Sequence, residues 1–451
     1  MSKVKSTYVC QSCGAQTSKW MGKCTTCGEW NTIEEEIISD SQPSIVSKVL
    51  EKNGQPENSV YLSDVEVGRI KRIISSDNEL NRVLGGGIVP GSLVLVGGEP
   101  GIGKSTLLLQ MALRTASMRF LYVSGEESGE QIKMRADRIG QDNHEVLLYS
   151  GTKVEDILAQ TKKVSANFLI VDSIQTIRTA LIDSAPGTIT QIRECTHLLQ
   201  QFAKQSNIPV FIIGHITKEG VIAGPKLLEH IVDVVLQFEG DSHYDNRILR
   251  SIKNRFGSIA ELGIYEMHPN GLSEVENPSE ILFTKRDEPV AGVAIASMVE
   301  GARAFIIEIQ ALVTSSVYGN PQRSATGFDT KRLNMLLAVL EKRCGFQIGD
   351  KDIFLNVAGG LKLKDTATDL AVLAALISSF NNYPLPLKVA FCGEVSLTGE
   401  IRPVNSIDLR INEVQKLGFE KIYCSKNVSS QWKGVSPVHN IADLVYQMRS
   451  M

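Results

Sequence analysis

The stretch GEPGIGKS, from Gly98 to Ser105, has the composition and spacing of a phosphate cradle. A β-type run, SLVLVGG (92–98), leads into it, and an amphipathic stretch, KSTLLLQMALRTASM (104–118), leads out. GxxxxGK[ST] therefore stands in the strand–loop–helix context its chemistry needs. Glycines at 98, 101 and 103 let Gly98, Glu99, Pro100, Gly101, Ile102 and Gly103 wrap tightly around an anion. Backbone N–H groups and the helix N-terminus would then face phosphate oxygens. Lys104 would contact the β- and γ-phosphates of ATP, Ser105 would place its hydroxyl on Mg²⁺, and Thr106 completes the binding stretch.

A carboxylate on the Mg²⁺ side is expected at the end of a neighbouring strand, and NFLIVDS (167–173) supplies Asp172. The run RFLYVSG (119–125) ends in Glu126 and Glu127, either of which could accept a proton from an attacking water. Glu126 is the favoured base; the bland alternative is that both acids simply open the next helix, where they suit its dipole. IPVFIIGH (208–215) ends in His215, where a γ-phosphate could be sensed, although a satisfied strand-end histidine would look the same.

Near the N-terminus, Cys10-x-x-Cys13 and Cys24-x-x-Cys27 form two pairs separated by ten residues. Each pair can span one edge of a tetrahedron, so the four thiolates are expected to bind Zn²⁺. So short a segment cannot build a core, and the metal would supply its folding energy. Trp20 and Trp30, among Lys3, Lys5, Lys19 and Lys23, could stack on bases, dock a partner protein, or merely cover the zinc core.

Positioning these groups requires an α/β framework. From about 70 to 276, short apolar runs, EVLLYS (145–150) included, alternate with amphipathic stretches such as TITQIRECTHLLQQFAKQS (188–206). The runs are too continuously apolar to be half-exposed, which predicts a parallel sheet covered by helices on both faces. Residues 1–30 form the finger, and 31–69, polar and punctuated by Pro43, Gly54 and Pro56, read as a linker. Residues 277–451 change grammar: strand-like 291–313, helix-like 329–345, strand 352–360, an apolar helix 367–380, strand 387–397 and helix 408–419 make an α+β domain. With 451 residues, 43% hydrophobic and a net charge of −3, the chain carries no global polyanion signature, so any nucleic-acid site must be local. No run of eighteen apolar residues and no secretory signal appear, which predicts a cytoplasmic protein without a membrane role.

One motif remains. KNRFG (253–257) follows the strand-like RILRSI (247–252) and brings two cations, Lys253 and Arg255, to a turn. Together, the four-Cys finger, the GEPGIGKST loop, GHITKEGVIAGPKLLEHIVD (214–233), KNRFG and the tail closely resemble the bacterial RadA (Sms) family of DNA repair proteins over essentially the whole chain. The resemblance implies a RecA-like ATPase that forms homo-hexameric rings on single-stranded and branched DNA. It further implies a branch-migration helicase of recombination, working beside a RecA-type recombinase. Lys253 and Arg255 would then act at a subunit boundary, reaching the DNA or the nucleotide of the next protomer, the latter as an arginine finger does; the alternative is a solvated turn with Arg255 on a surface carboxylate. Lys218 and Lys226, in the loop TKEGVIAGPKLLEH (217–230), would contact DNA phosphates.

The tail resembles the proteolytic domain of Lon, which raises a rival reading, an ATP-driven peptidase. By alignment Thr368 or Asp369 takes the serine's place and Asp408 the lysine's, so the tail is expected to be a peptidase fold without peptidase chemistry. Lys362, Lys364, Lys388, Arg402 and Arg410 are its candidate DNA-facing cations. A third reading, a RecA-like regulatory ATPase or kinase, leaves the finger and KNRFG unexplained.

Overall fold

The computed structural model describes residues 5–10, 15–38, 71–116, 118–140, 143–215, 225–240, 246–275, 277–301, 303–316, 321–426 and 432–450. Two compact units divide the chain near Val275. In the finger, β1 (Lys5–Cys10) pairs antiparallel with both β2 (Gln16–Thr17) and β3 (Ile33–Ile38). Its small core gathers Cys10, Cys24 and Ile33, with Tyr8, Ala15 and Met21 packed against them. β3 carries the sheet past residue 30, into the stretch expected to be linker; the rest of that stretch lies outside the described residues.

The nucleotide-binding unit is built on β4 (Leu93–Gly98), β5 (Phe120–Ser124), β6 (Val146–Tyr149), β7 (Phe168–Asp172), β8 (Val210–His215), β9 (Val234–Gly240), β10 (Asn246–Asn254), β11 (Leu262–His268) and β12 (Gly271–Glu274). They lie in one sheet of order β12-β11-β10-β9-β4-β8-β7-β5-β6. β9 through β6 run parallel, as expected, whereas β10, β11 and β12 extend the sheet antiparallel.

Alternate side chains feed two cores. Val94, Val96, Tyr122, Ile170 and Phe211 join one cluster with the helix Lys104–Arg114. Leu93, Leu95, Val123, Val171 and Ile212 join another with the helices Val154–Lys163 and Ile189–Ser206. Both faces of these strands are therefore dry, which is why they read as continuous apolar runs. β6 departs from that expectation. It is the edge strand, and Leu147 and Leu148 are 37% and 42% exposed, so its apolar composition does not report burial.

The C-terminal unit has a mixed sheet formed by β13 (Val293–Glu300), β14 (Arg303–Ser315), β15 (Arg323–Thr326), β16 (Lys351–Val357), β17 (Val389–Cys392), β20 (Lys421–Ser425) and β21 (Val435–Val438), in the order β15-β16-β14-β13-β17-β20-β21. A two-stranded ribbon, β18 (Glu394–Val395) with β19 (Ile401–Arg402), completes it. The expected strand 291–313 is a hairpin, β13 with β14. The apolar helix Asp369–Asn381 is buried from Asp369 through Ser378, consistent with its having no polar face. Among the described residues, this unit sets Arg286–Glu308, Arg332–Asp369 and Arg410–Asp365 as ion pairs with a buried partner.

Candidate functional site

The phosphate loop leaves β4 at Gly98 and enters the helix Lys104–Arg114 through Gly103. Gly103 has φ +116°, a left-handed backbone that strains any residue with a Cβ, so the tight entry favours glycine. At Gly101 a Cβ would meet nothing within 4 Å; the loop opens onto free space there, as a polyphosphate cradle must. Lys104, 4% exposed, folds its ammonium into the loop and donates to the carbonyls of Gly98 (2.8 Å) and Glu99 (2.9 Å). Burial lowers this ammonium to about 8, against the opposing pull of Asp172 and then Glu126. An ammonium so placed fits phosphate oxygens, which would supply the charge that burial leaves it wanting. Ser105 and Thr106 are half-buried at the helix start, and Ser105 with Asp172 would hold Mg²⁺, which when bound neutralises charge on the phosphates.

Asp172 ends β7 directly opposite Ser124, the last residue of β5. It is 6% exposed and accepts a 2.7 Å hydrogen bond from the buried Tyr122 hydroxyl. Burial, and next the Asp172 charge, hold the Tyr122 phenol well above its ordinary pKa, so it stays a donor. The two acids after β5 part company. Glu127 pairs with Arg135 of the following helix, while Glu126 Oε1 accepts the Ser173 hydroxyl at 2.5 Å and lies within electrostatic reach of Lys104. Of the two, then, Glu126 faces the phosphate loop.

Tyr122, Ser173 and Arg135 went unremarked in the sequence. Ser173 had a visible signal, its place directly after Asp172; the other two had none, since only the fold brings them to the acids. His215 ends β8 with its backbone opposite Gly98. Its side chain lies outside the described residues, as do Cys13, Lys218 and the side chain of Lys226.

KNRFG occupies the other end of the sheet. Gly98 pairs with Phe238 and Val94 with Val234, and Val234 pairs in turn with Asn254. Asn254 therefore stands level with Val94, about 13 Å back along the strands from Gly98 at ~3.3 Å per residue. The phosphate loop leaves β4 at one end of the strands, and KNRFG leaves β10 at the opposite end. There Lys253 donates to the carbonyls of Glu229 and Val232 (2.8 Å to the latter), where the helix Pro225–Ile231 ends. Burial, followed by the Arg255 charge, lowers the Lys253 ammonium below its usual value. Arg255, with 48% of its side chain exposed, reaches Asp233 Oδ1 at 3.6 Å and the His230 carbonyl at 3.3 Å.

In the finger, the thiols of Cys10, Cys24 and Cys27 all lie within 4.8 Å of one another, and Cys10 Sγ and Cys27 Sγ are 3.7 Å apart. Thiolates at Zn–S distances of about 2.3 Å on tetrahedron vertices stand about 3.8 Å apart, so the three fit a zinc ion. Trp20 and Trp30 are 60% and 66% exposed and, among the described residues, are not packed in this core.

In the tail, Thr368 is buried and spends its hydroxyl on the Asp365 carbonyl at 2.8 Å. Asp369 is clamped by Arg332, with the Val395 N–H at 3.1 Å. Asp408 accepts from Trp432 Nε1 at 3.1 Å. None of the three is arranged as a nucleophile beside a lysine. Arg410, counted above among the DNA-facing cations, is 3% exposed and bound to Asp365 at 2.7 Å and the Ser297 carbonyl at 2.9 Å; it is a buried strut. Lys362, Lys364, Lys388 and Arg402 are at the surface, Lys388 paired with Glu420.

Comparison with known proteins matches three stretches of the chain to families. Residues 8–35 match the family described as rubredoxin metal binding domain, 56–221 the AAA domain, and 310–427 subunit ChlI of Mg-chelatase. The chain is 46% identical over 455 residues to "DNA repair protein RadA" of Bacillus subtilis (strain 168), covering 100% of this chain and 99% of that one. Against the protein of the same name from Streptococcus pyogenes serotype M1 it is 48% identical over 429 residues, covering 95% and 94%. Against that of Listeria monocytogenes serovar 1/2a it is 46% identical over 438 residues, covering 96% and 95%. The fold expected from the sequence is present: a RecA-like ATP-binding core between an N-terminal zinc ribbon and a Lon-like α+β domain.

Proposed function

The chain belongs to the DNA repair protein RadA family, and on that premise we propose that it is a DNA-dependent ATPase working as a hexameric helicase that promotes branch migration of recombination intermediates. Its catalytic centre is split between protomers. Lys104 and the loop from Gly98 to Thr106 bind ATP, Asp172 and Ser105 hold Mg²⁺, Glu126 takes the proton of the attacking water, and His215 senses the γ-phosphate. Lys253 and Arg255 serve the nucleotide of the neighbouring protomer.

The observation that carries this reading is the position of KNRFG at the end of the strands opposite its own phosphate loop. Cations that leave the sheet about 10 Å or more back along the strands cannot serve the nucleotide of their own chain. A head-to-tail interface would bring them to the next one, and such an interface gives a ring when the rotation between subunits closes. Ile252 and Ile259, 40% and 57% exposed on either side of the motif, supply apolar surface for that contact.

DNA would run through the channel against Lys218 and Lys226, whose phosphate contacts make affinity fall steeply with salt. The exposed Trp20 and Trp30 favour a recognition role for the finger, on DNA or on a RecA-type recombinase. The rival peptidase reading is disfavoured by the hydrogen bonds that occupy Thr368 and Asp369.

The test is Arg255→Ala. ATP binding should persist while DNA-stimulated turnover drops by about 10³-fold or more, the range of an arginine finger, and strand unwinding is lost. Wild-type rates in both assays would remove the finger role.

A further inference from the structure

Arg72 lies at the start of the described core, one residue after Lys71, and is separated from KNRFG by more than half the N-terminal unit. Its guanidinium nevertheless joins the two. Nη1 donates to the carbonyls of Leu84 (3.1 Å) and Gly87 (3.0 Å), and Nη2 donates to the carbonyl of Phe256 at 2.6 Å. The arginine's own backbone is held by the adjacent Ile73–Ile88 bridge, whose two N–H···O bonds are each 2.8 Å. A planar fork of fixed donors on an anchored residue sets the distance between the carbonyls it grips.

The turn it grips is the one that aims Arg255. Within KNRFG, Phe256 N donates to Asn254 Oδ1 at 2.9 Å, and Asn254 Nδ2 reaches the Leu84 carbonyl at 3.3 Å. Arg255 N donates to the Asp233 carbonyl at 3.1 Å. Gly85, at φ +81°, lets the two turns close: a Cβ there would lie 3.4 Å from Gly257 Cα. The carbonyls of Leu84 and Phe256 thus form one shared acceptor set, and Arg72 is the cation at its centre.

We propose that Arg72 is a positioning residue for the split ATPase, fixing the KNRFG turn on the Leu84–Gly87 turn so that Arg255 is presented to the neighbouring protomer. The inference rests on the trans role of KNRFG proposed above. It adds that the arginine acts on the neighbour's reaction without touching the nucleotide of either chain.

Subunit mixing tests it. Arg72→Ala alone should bind ATP within about twofold of wild type yet lose at least about tenfold in DNA-stimulated kcat. Lys104→Ala is inactive because its own phosphate loop is broken. In rings of the two, an intact loop meets an intact KNRFG at about a quarter of the interfaces for random head-to-tail mixing, so turnover should rise above that of both parents. Arg255→Ala mixed with Lys104→Ala is the control. If the control recovers and the Arg72→Ala mixture does not, Arg72 is structural and the inference fails while the split site stands. If neither recovers, both fall. Wild-type turnover by Arg72→Ala alone also overturns the inference. Should Arg72→Ala not fold, Arg72→Lys, which keeps the charge but loses the fork, is mixed instead and judged by the same outcomes.

Discussion

Ser173 donates its hydroxyl to Glu126 Oε1 at 2.5 Å, and this bond selects one of two adjacent acids. Glu127, tied to Arg135, is turned to the following helix. Glu126→Gln should therefore lower kcat by about 10²–10⁴-fold with ATP binding retained, the range for loss of a general base. Glu127→Gln should lower it far less, and Ser173→Ala should cost about tenfold by freeing the Glu126 carboxylate to wander. Steady-state kinetics on the three variants checks the assignment; a larger loss for Glu127→Gln would reverse it.

The Lys104 ammonium, lowered to about 8 by burial, makes nucleotide binding depend on pH. In the empty fold it loses its proton well before an unfolded lysine would, so it opposes folding below about 8, and that cost fades as pH rises toward 10.5. Phosphate oxygens favour the charged form. ATP affinity should accordingly fall by up to about tenfold per unit above pH ~8, with uptake of nearly one proton on binding at pH ~9. Isothermal titration in two buffers of different ionisation enthalpy reads that proton. An affinity flat from pH ~7 to ~10 would contradict it.

Zinc should be bound at one ion per chain by thiolates alone. Cobalt-substituted protein is expected to give the absorption of a tetrahedral tetrathiolate site, which reports the fourth ligand, Cys13, as well as the clustered three. Cys24→Ser should lose the metal and the fold of the finger while ATP still binds the core. A spectrum of mixed sulfur and oxygen ligation would exclude Cys13.

Arg332 compensates a fully buried carboxylate, Asp369. Burial raises the Asp369 pKa despite the pairing, so its protonated form favours the fold at low pH and that contribution is lost as pH rises through the raised value. Arg332→Met should destabilise the C-terminal unit by about 3 kcal/mol at neutral pH, the cost of leaving a buried charge unpaired, and by less in mild acid. Denaturant unfolding at two pH values measures both.

Features set by backbone chemistry were legible in the sequence. GxxxxGKS needs its glycines wherever it folds, and the Cys pairs need their spacing. Asp172 could be found because a buried strand ends in a lone acid. What was hidden depends on pairing across long separations. Arg410 reads as a surface cation until Asp365, 45 residues away, is brought against it. Leu147 and Leu148 read as core, since composition does not say which strand is the edge. RILRSI reads as a strand, but that it runs antiparallel, and so carries KNRFG away from its own phosphate loop, is a property of topology alone.

The measurement that bears most directly on a centre divided between neighbours is specific ATPase activity as a function of protein concentration, with and without single-stranded DNA. The account predicts turnover per chain that rises steeply with concentration, is strongly stimulated by DNA, and becomes flat and negligible in Arg255→Ala. Turnover per chain that stays at full rate under dilution to isolated monomers, indifferent to DNA, would contradict it.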